Sequence, residues 1–359
     1  MFGGSQNIPS YDQPLQRVGG ENNAFTNPDI TNYYLTLPAV NLETAFWLES
    51  DRMLGLSFDP EVLEVQRKVV IEEFKQRYLN QPYGDAWLKL RPLAYKEHPY
   101  RWATIGKDIA HIQEASMEDV RAFFQRFYHP ANAILVVAGK VSLKQVRSLA
   151  EKWFGPIPSG PLLQRNLPVE PPQKHARTLS VEAQVPVDAI YQVYHMPPRF
   201  TEAYHQVDLL SDILGRGKSS RLHQQLVKER EIFSSVSCYV TGSLDPGLLV
   251  ITGKLNQGYS CEDGQQGIRE IIDQLVDEGV HQSELEKVRS QAESSLVFSK
   301  VPLLNRAMNL ALANLVGDTD YVNRETDIIN AIRADDINNQ TAQILRLDQS
   351  STLNYQKAH

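Results

Sequence analysis

Two adjacent carboxylates, Glu72 and Glu73, and nine histidines are the side chains here whose types suit metal or acid–base chemistry. A catalytic zinc needs about three protein ligands. A helix supplies two of them when histidines stand four apart, as in H-E-x-x-H or H-x-x-E-H. The histidines are His98, His111, His129, His175, His195, His205, His223, His281 and His359, and no two have that spacing. Each therefore reads as a core or surface residue, and a complete zinc site within these residues is not expected.

The carboxylates lie in EVLEVQRKVVIEEFKQRY, which follows Asp59-Pro60, a good N-cap and first-turn pair. Helical spacing groups Gln66, Val69, Val70, Glu73 and Arg77 on one face, and puts Glu72 beside Lys68 and Gln76. Glu72 is placed for solvent and a Lys68 ion pair. Glu73 lies on a partly apolar face, where a carboxylate needs a partner. A salt bridge, for instance to Arg77, is the plainer reading from the helix alone, and a metal is the other.

Upstream, Gly19-Gly20-Glu21-Asn22-Asn23-Ala24-Phe25-Thr26 leads to Thr31-Asn32-Tyr33-Tyr34-Leu35-Thr36-Leu37. The second stretch is β-branched and aromatic and reads as a strand. The first reads as a turn, or as an approach into an edge strand that takes an extended peptide by strand addition. Gly215-Arg216-Gly217-Lys218-Ser219 imitates the end of a phosphate loop, but residue 212 is Asp where that motif needs glycine.

The elements that would carry these residues form two copies. Pro156, Pro158, Pro161, Pro168, Pro171 and Pro172 mark an extended linker near the middle of the 359 residues. On either side, 109–139 resembles 326–356. Ile112 and Asp119 match Ile329 and Asp336 at one offset (329 − 112 = 217; 336 − 119 = 217), and Leu63-Glu64 with Arg67 matches Leu285-Glu286 with Arg289 at 222 (285 − 63). In 109–139 a Ser116 cap precedes an amphipathic helix, a proline turn and a buried strand at 133–138. The second copy reads as strands at about 176–184, 189–196, 233–241 and 247–254, with helices at about 201–214, 219–230, 263–278 and 283–298. The fold class is α+β: two duplicated domains, each an antiparallel sheet with helices on one face.

A net charge of −7 excludes a basic nucleic-acid footprint. No apolar run reaches the length of a membrane span. Cys238 and Cys261 read as buried thiols rather than a disulfide framework.

In order, these segments resemble the pitrilysin/insulinase family of zinc metallopeptidases, the inverzincins, whose ligand helix carries H-x-x-E-H. In that family the motif runs directly into residues like Met1-Phe2-Gly3-Gly4-Ser5. A substrate-binding strand similar to Asn23, Ala24, Phe25 and Thr26 follows, and then a third zinc ligand, which Glu73 matches. Gly215 to Leu222 and Lys228-Glu229-Arg230 resemble the family's C-terminal domain. The resemblance implies a peptidase-like domain over 1–155, a linker over 156–175 and a second domain over 176–359. It also implies zinc in the complete protein, a peptide substrate, and a homodimer or a heterodimer with a related chain.

Three departures qualify it. The histidine helix, with the general base, is expected upstream of Met1. Gln66 stands where the family commonly has a second glutamate, so charge that would polarise the site is absent. The arginine and tyrosine that many members supply from the second half are not identifiable, Tyr259 being the one position suggested. The chain alone is therefore expected to be inactive and not to hold zinc stably. It is either a peptidase whose histidine helix lies outside it, or an inactive member that serves as partner subunit or wall of a peptide chamber.

Overall fold

The computed structural model describes residues 4, 5 and 7–358. They divide into two compact units: 1–74 with 104–166 and 299–319, and 75–103 with 167–298 and 320–359. The division falls inside the proline-rich stretch. In addition, 75–103 joins the second unit and 299–319 the first.

In the first unit, strands β1 (Glu21–Thr26) and β2 (Thr31–Thr36) form an antiparallel hairpin. Its turn is closed by Asn27, whose Oδ1 accepts the amides of Asp29 and Ile30, each at 2.9 Å. Gly20 enters the hairpin against Leu15, and a Cβ there would lie 2.4 Å from Leu15 Cδ1. Ile8, Tyr11, Leu15 and Leu48 form a small core, with Val18, Leu35, Leu37 and Trp47 packed on it. Helices Leu42–Leu54, Pro60–Phe74, Ile109–Glu114, Met117–Phe127 and Leu143–Trp153 also belong to this unit.

The second unit has a five-stranded sheet of β3 (Arg177–Ala183), β4 (Ala189–Met196), β5 (Phe233–Val240), β6 (Gly247–Leu255) and β7 (Ser351–Lys357). The strand order is β3-β7-β4-β6-β5. The pairs are antiparallel except β3 with β7, so the sheet is mixed rather than wholly antiparallel. Alternation along β4 sends Ile190, Tyr194 and Met196 into a large core with residues of helices Glu202–Gly215, Cys261–Glu278 and Gln282–Ser299. The opposite face is covered too. Ala189, Val193, Leu248, Val250, Leu353 and Tyr355 pack with Ala86, Leu90 and Ala94 of helix Ala86–Ala94. That face is apolar at every one of these positions, and burying a large aliphatic side chain contributes about 1.5–3 kcal/mol. A helix is recruited to it from the first half of the chain.

The duplication is visible element by element. Helix Met117–Phe127 corresponds to Ala334–Ile344 at both ends (334 − 117 = 217; 344 − 127 = 217). The 3₁₀ turn Pro130–Asn132 corresponds likewise to Leu347–Gln349 (347 − 130 = 217). Asp119 accepts the amide of Ser116, and Asp336 that of Arg333. Arg67 donates to the carbonyl of Ala115 and Arg289 to that of Ile332 (332 − 115 = 217).

One expected element is corrected. Residues 133–138 are not a buried strand: they join no ladder among the described residues, and Ile134 and Leu135 are 40% and 52% exposed. Their composition suits a sheet interior, but burial in a sheet needs strands on both sides, and no strand among the described residues pairs with them.

Both cysteines are free and buried, as the sequence suggests. Burial raises both thiol pKa values, that of Cys261 to about 12. No helix among the described residues is long and apolar enough to cross a membrane.

Candidate active site

Helix Pro60–Phe74 begins as its sequence requires. Asp59 Oδ1 accepts the Glu61 amide at 2.8 Å, its carbonyl accepts that of Leu63, and Pro60 opens the first turn. Arg67 fixes the helix laterally by donating Nε to the Ile112 carbonyl at 3.1 Å and Nη2 to that of Ala115 at 2.6 Å. The helix ends on buried Phe74, and the chain continues as a π-helical turn over Lys75–Leu79.

Glu72 is exposed and Glu73 half-buried, as their faces predict. Gln66 and Val69, two turns and one turn earlier on the face of Glu73, are exposed, Val69 by 54%. The helix therefore presents a single half-sheltered carboxylate beside an amide and an open apolar stripe. Among the described residues no three His, Cys, Asp or Glu side chains come together as a metal group. Glu73 supplies one donor where zinc needs several, so the residues present do not by themselves fit a zinc site.

Two buried histidines are engaged in the second unit. His98 Nε2 meets Asp245 Oδ2 at 3.0 Å, while its Nδ1 accepts the Tyr100 amide. His205 bonds Tyr321, and burial lowers its pKa to about 4. Tyr259 donates to the Arg230 carbonyl at 3.2 Å.

At the other end of the unit, Gly4 has φ +80°, and a Cβ on it would strike the Pro9 carbonyl oxygen at 2.4 Å. Ser5 Oγ donates to Asp51 and accepts the Ile8 amide at 2.9 Å, while Asn7 Nδ2 donates to Asp51 Oδ1 at 2.8 Å. This ties the Gly4-Ser5 turn to helix Leu42–Leu54. Met1, Phe2 and Gly3 lie outside the described residues.

The hairpin presents the residues expected to hold a peptide. Asn23 and Phe25 are exposed, Phe25 by 40%, and Thr26 is exposed too. Asn27 donates to the Ile30 carbonyl at 3.0 Å, which sets the alternation of the ladder: Phe25 and Asn23 turn their main-chain groups to β2, and Asn22, Ala24 and Thr26 turn theirs outward. The Ala24 amide is met at 2.8 Å by Asn23 Oδ1, the side chain of its own neighbour. Among the described residues β1 pairs with β2 alone, so this outward row is an open edge.

One supporting group has almost no signature in the sequence. Buried Arg52 stacks over the rings of Tyr11 at 4.2 Å and Tyr33 at 4.4 Å, and its Nε pairs with Glu49 at 3.0 Å. Tyr11 also donates to Glu49, and Tyr33 bonds Tyr128 at 2.8 Å. Burial, the largest cause, raises the pKa of both Tyr11 and Tyr33, so both stay neutral. A cation between two rings holds β2 to its helix. The (i, i+3) pair Glu49–Arg52 is the only sequence trace of it.

Residues 1–95 match the family described as Insulinase (Peptidase family M16), and residues 114–292 match the Peptidase M16 inactive domain. The zinc protease PqqE of Helicobacter pylori is 29% identical over 292 residues, covering 80% of this chain and 65% of its own length. The chain thus spans about two thirds of that relative. An uncharacterized zinc protease of Bacillus subtilis, YmxG, is 24% identical over 95% of this chain and 82% of its own. A crystal structure of a protease from Helicobacter pylori has a TM-score of 0.90 and 26% identity, covering 99% of this chain and 86% of its own. That of a peptidase M16 inactive domain from Pseudomonas fluorescens, at 18% identity and TM-score 0.87, shares the fold. With an α+β duplication, its two halves matched in order and relatives named as zinc proteases, the chain belongs to the pitrilysin/insulinase (M16) peptidase family.

Proposed function

We propose that the protein works in zinc-dependent cleavage of extended peptides, with β1 as the edge that holds the substrate and Glu73 as the metal ligand this chain supplies. The observation that carries this reading is the outward main-chain row of Asn22, Ala24 and Thr26, joined to no other strand among the described residues. Such an edge binds through main-chain bonds, which suits a substrate recognised by extension more than by sequence. Asn23, Ala24, Phe25 and Thr26 form the binding segment. Glu73 alone does not make a zinc site, and the other ligands and the general base belong to an H-x-x-E-H helix that this chain does not itself contain. Gln66 takes a neighbouring position as an uncharged amide. Zinc, when bound by the full ligand set, supplies an activated water and a Lewis acid for the peptide carbonyl.

A second reading is favoured by Gln66, an exposed amide where family members commonly carry a carboxylate. In it the chain binds peptides without cutting them, as partner subunit or chamber wall in a homodimer or heterodimer with a related chain.

Ala24→Pro tests the shared part of both readings. Proline removes the Ala24 amide, the middle one of the three in the outward row, and leaves the bonds to β2 intact, as edge strands tolerate. Fluorescence anisotropy with a labelled extended peptide is expected to show binding by the parent chain, weakened about tenfold in the variant. Equal binding by both would remove β1 from the site. With added zinc, the chain alone is expected to leave a quenched-fluorophore peptide uncut. Stoichiometric zinc on the purified chain would overturn the assignment of one ligand.

A further inference from the structure

Arginine is a costly side chain to bury. Arg52 is 7% exposed, in the last turn of helix Leu42–Leu54, and a cation taken out of water needs close partners to offset the loss. The guanidinium lies 4.2 Å from the ring centre of Tyr11 and 4.4 Å from that of Tyr33. Its Nε and Nη2 donate to Glu49 at 3.0 and 3.3 Å. An apolar side chain would join Ile8, Leu15 and Leu48 at lower cost. What the guanidinium adds is a flat plate with fixed donors, which orients whatever rests on it.

Tyr33 rests on that plate. Its hydroxyl meets the Tyr128 hydroxyl at 2.8 Å, and the Tyr128 ring stacks on buried Phe124 with centroids 4.8 Å apart. The ring is thus held at its face by Arg52 and at its tip by Tyr128. In the ladder Tyr33 stands opposite Ala24. Ala24 turns its main-chain groups outward, so this pair exchanges no bonds, and such pairs bring their Cα atoms to about 4.5 Å. A two-stranded hairpin is marginal by itself in water. β1 reaches its unit chiefly through β2, with Asn22 Nδ2 donating to Asp12 at 2.8 Å as a tie of its own. The pins on β2 therefore fix where the β1 edge lies. Leu35 and Leu37 pin its end on the small core, and Tyr33 pins the middle, opposite Ala24.

We infer that Arg52 is a positioning residue for peptide binding: through Tyr33 it holds the Ala24 stretch of β1 at the height and tilt from which the outward row pairs with an extended chain. The inference rests on the reading of β1 as the peptide edge, and adds to it a residue that itself touches no peptide. Its charge is the active property. A desolvated cation is attracted by each ring face it meets, so a neutral side chain of similar length fills the space without orienting Tyr33. Lysine keeps the charge and the pairing with Glu49 but lacks the planar fork, and covers one ring rather than two. Binding is therefore graded, with the parent strongest, lysine next and methionine weakest.

Arg52→Lys, Arg52→Met and Ala24→Pro are compared with the parent chain in two measurements. One is the anisotropy of a fluorescein-labelled, proline-free decapeptide, and the other is hydrogen exchange over 21–36 read by mass spectrometry. Arg52→Met is expected to bind about tenfold more weakly than the parent, and Arg52→Lys within about threefold of it. In Arg52→Met, 21–36 should exchange at least about tenfold faster, while 143–153, elsewhere in the same unit, keeps the parent's rate. Should 143–153 loosen as well, Tyr33→Leu is read in its place. That variant takes away one face of the stack and leaves Arg52 on Tyr11 and Glu49, and a similar loss of binding is expected. Equal weakening by lysine and methionine would reduce Arg52 to a filler of space and overturn the inference. Faster exchange over 21–36 with binding intact would overturn it too, as would weaker binding with exchange unchanged. Each of these results leaves the edge reading standing, provided that the parent binds the peptide and Ala24→Pro binds it less. Loss of that difference strikes the edge reading itself, and the role of Arg52 with it.

Discussion

Leu353 and Val136 hold the same place in the repeat (353 − 136 = 217), yet their surroundings differ. Leu353 is fully buried between β3 and β4, under helix Ala86–Ala94. Val136 is half-buried in a segment without ladder bonds. Among the described residues one plan thus appears once as a five-stranded sheet and once as a hairpin. Burial here follows from the strands alongside and not from the apolar residue itself. The second unit also has a helix, Glu202–Gly215, with no partner helix ahead of Asp12 among the described residues.

The comparison can be broken at three points. Leu353→Ala should destabilise the second unit by about 2–5 kcal/mol, the ordinary cost of truncating a fully buried leucine. Val136→Ala should cost the first unit less than about 1 kcal/mol. Denaturant unfolding with exchange readouts from each unit measures both, and equal costs would mean that the two environments are alike.

A smaller effect concerns charge. Burial, and next the nearby Asp212, raise the Asp208 pKa to about 6, against the opposing pull of Arg216 and Arg199 and with a further push from Glu325. A raised carboxyl favours the protonated folded state, so its contribution is complete below the unfolded value and lost as pH rises through about 6. Asp208→Asn should therefore be more stable than the parent at pH 7.5, by on the order of 1–2 kcal/mol, and equal to it near pH 4. Unfolding curves at the two pH values give the sign.

The smallest effect separates the two caps. Ser116 Oγ accepts the Asp119 amide, whereas the guanidinium of Arg333, at the matching position, has no acceptor to offer. Ser116→Ala should cost about 1 kcal/mol and Arg333→Ala less than about 0.5 kcal/mol, by thermal unfolding.

Much of the second unit is legible in the residues. The strand expected at 189–196 is Ala189–Met196, and the helix expected at 263–278 is Cys261–Glu278, because alternation and helical period are strong there. The duplication could be read because Ile112, Asp119 and Arg67 recur with their partners, and each of these positions has a packing or capping task that residue type reveals. What stayed hidden is tertiary. Nothing in Ala86–Ala94 announces that it will cover the second sheet, and Arg52 reads as an ordinary surface arginine until Tyr11 and Tyr33 close on it. The segment 133–138 misleads for the opposite reason: local composition records the environment a strand suits, and burial records whether its neighbours are there.

The Asn23 side chain gives the hairpin edge a built-in stand-in. With its Oδ1 on the Ala24 amide, the central donor of the outward row is already satisfied, and that amide can face water without standing idle. Under the proposed function, a peptide pairing with this edge would require one amide rotamer to swing aside, while the ladder to β2 stays as it was. At Ala24 the exchange would be nearly one bond for one bond, so under that reading a bound peptide should leave readily.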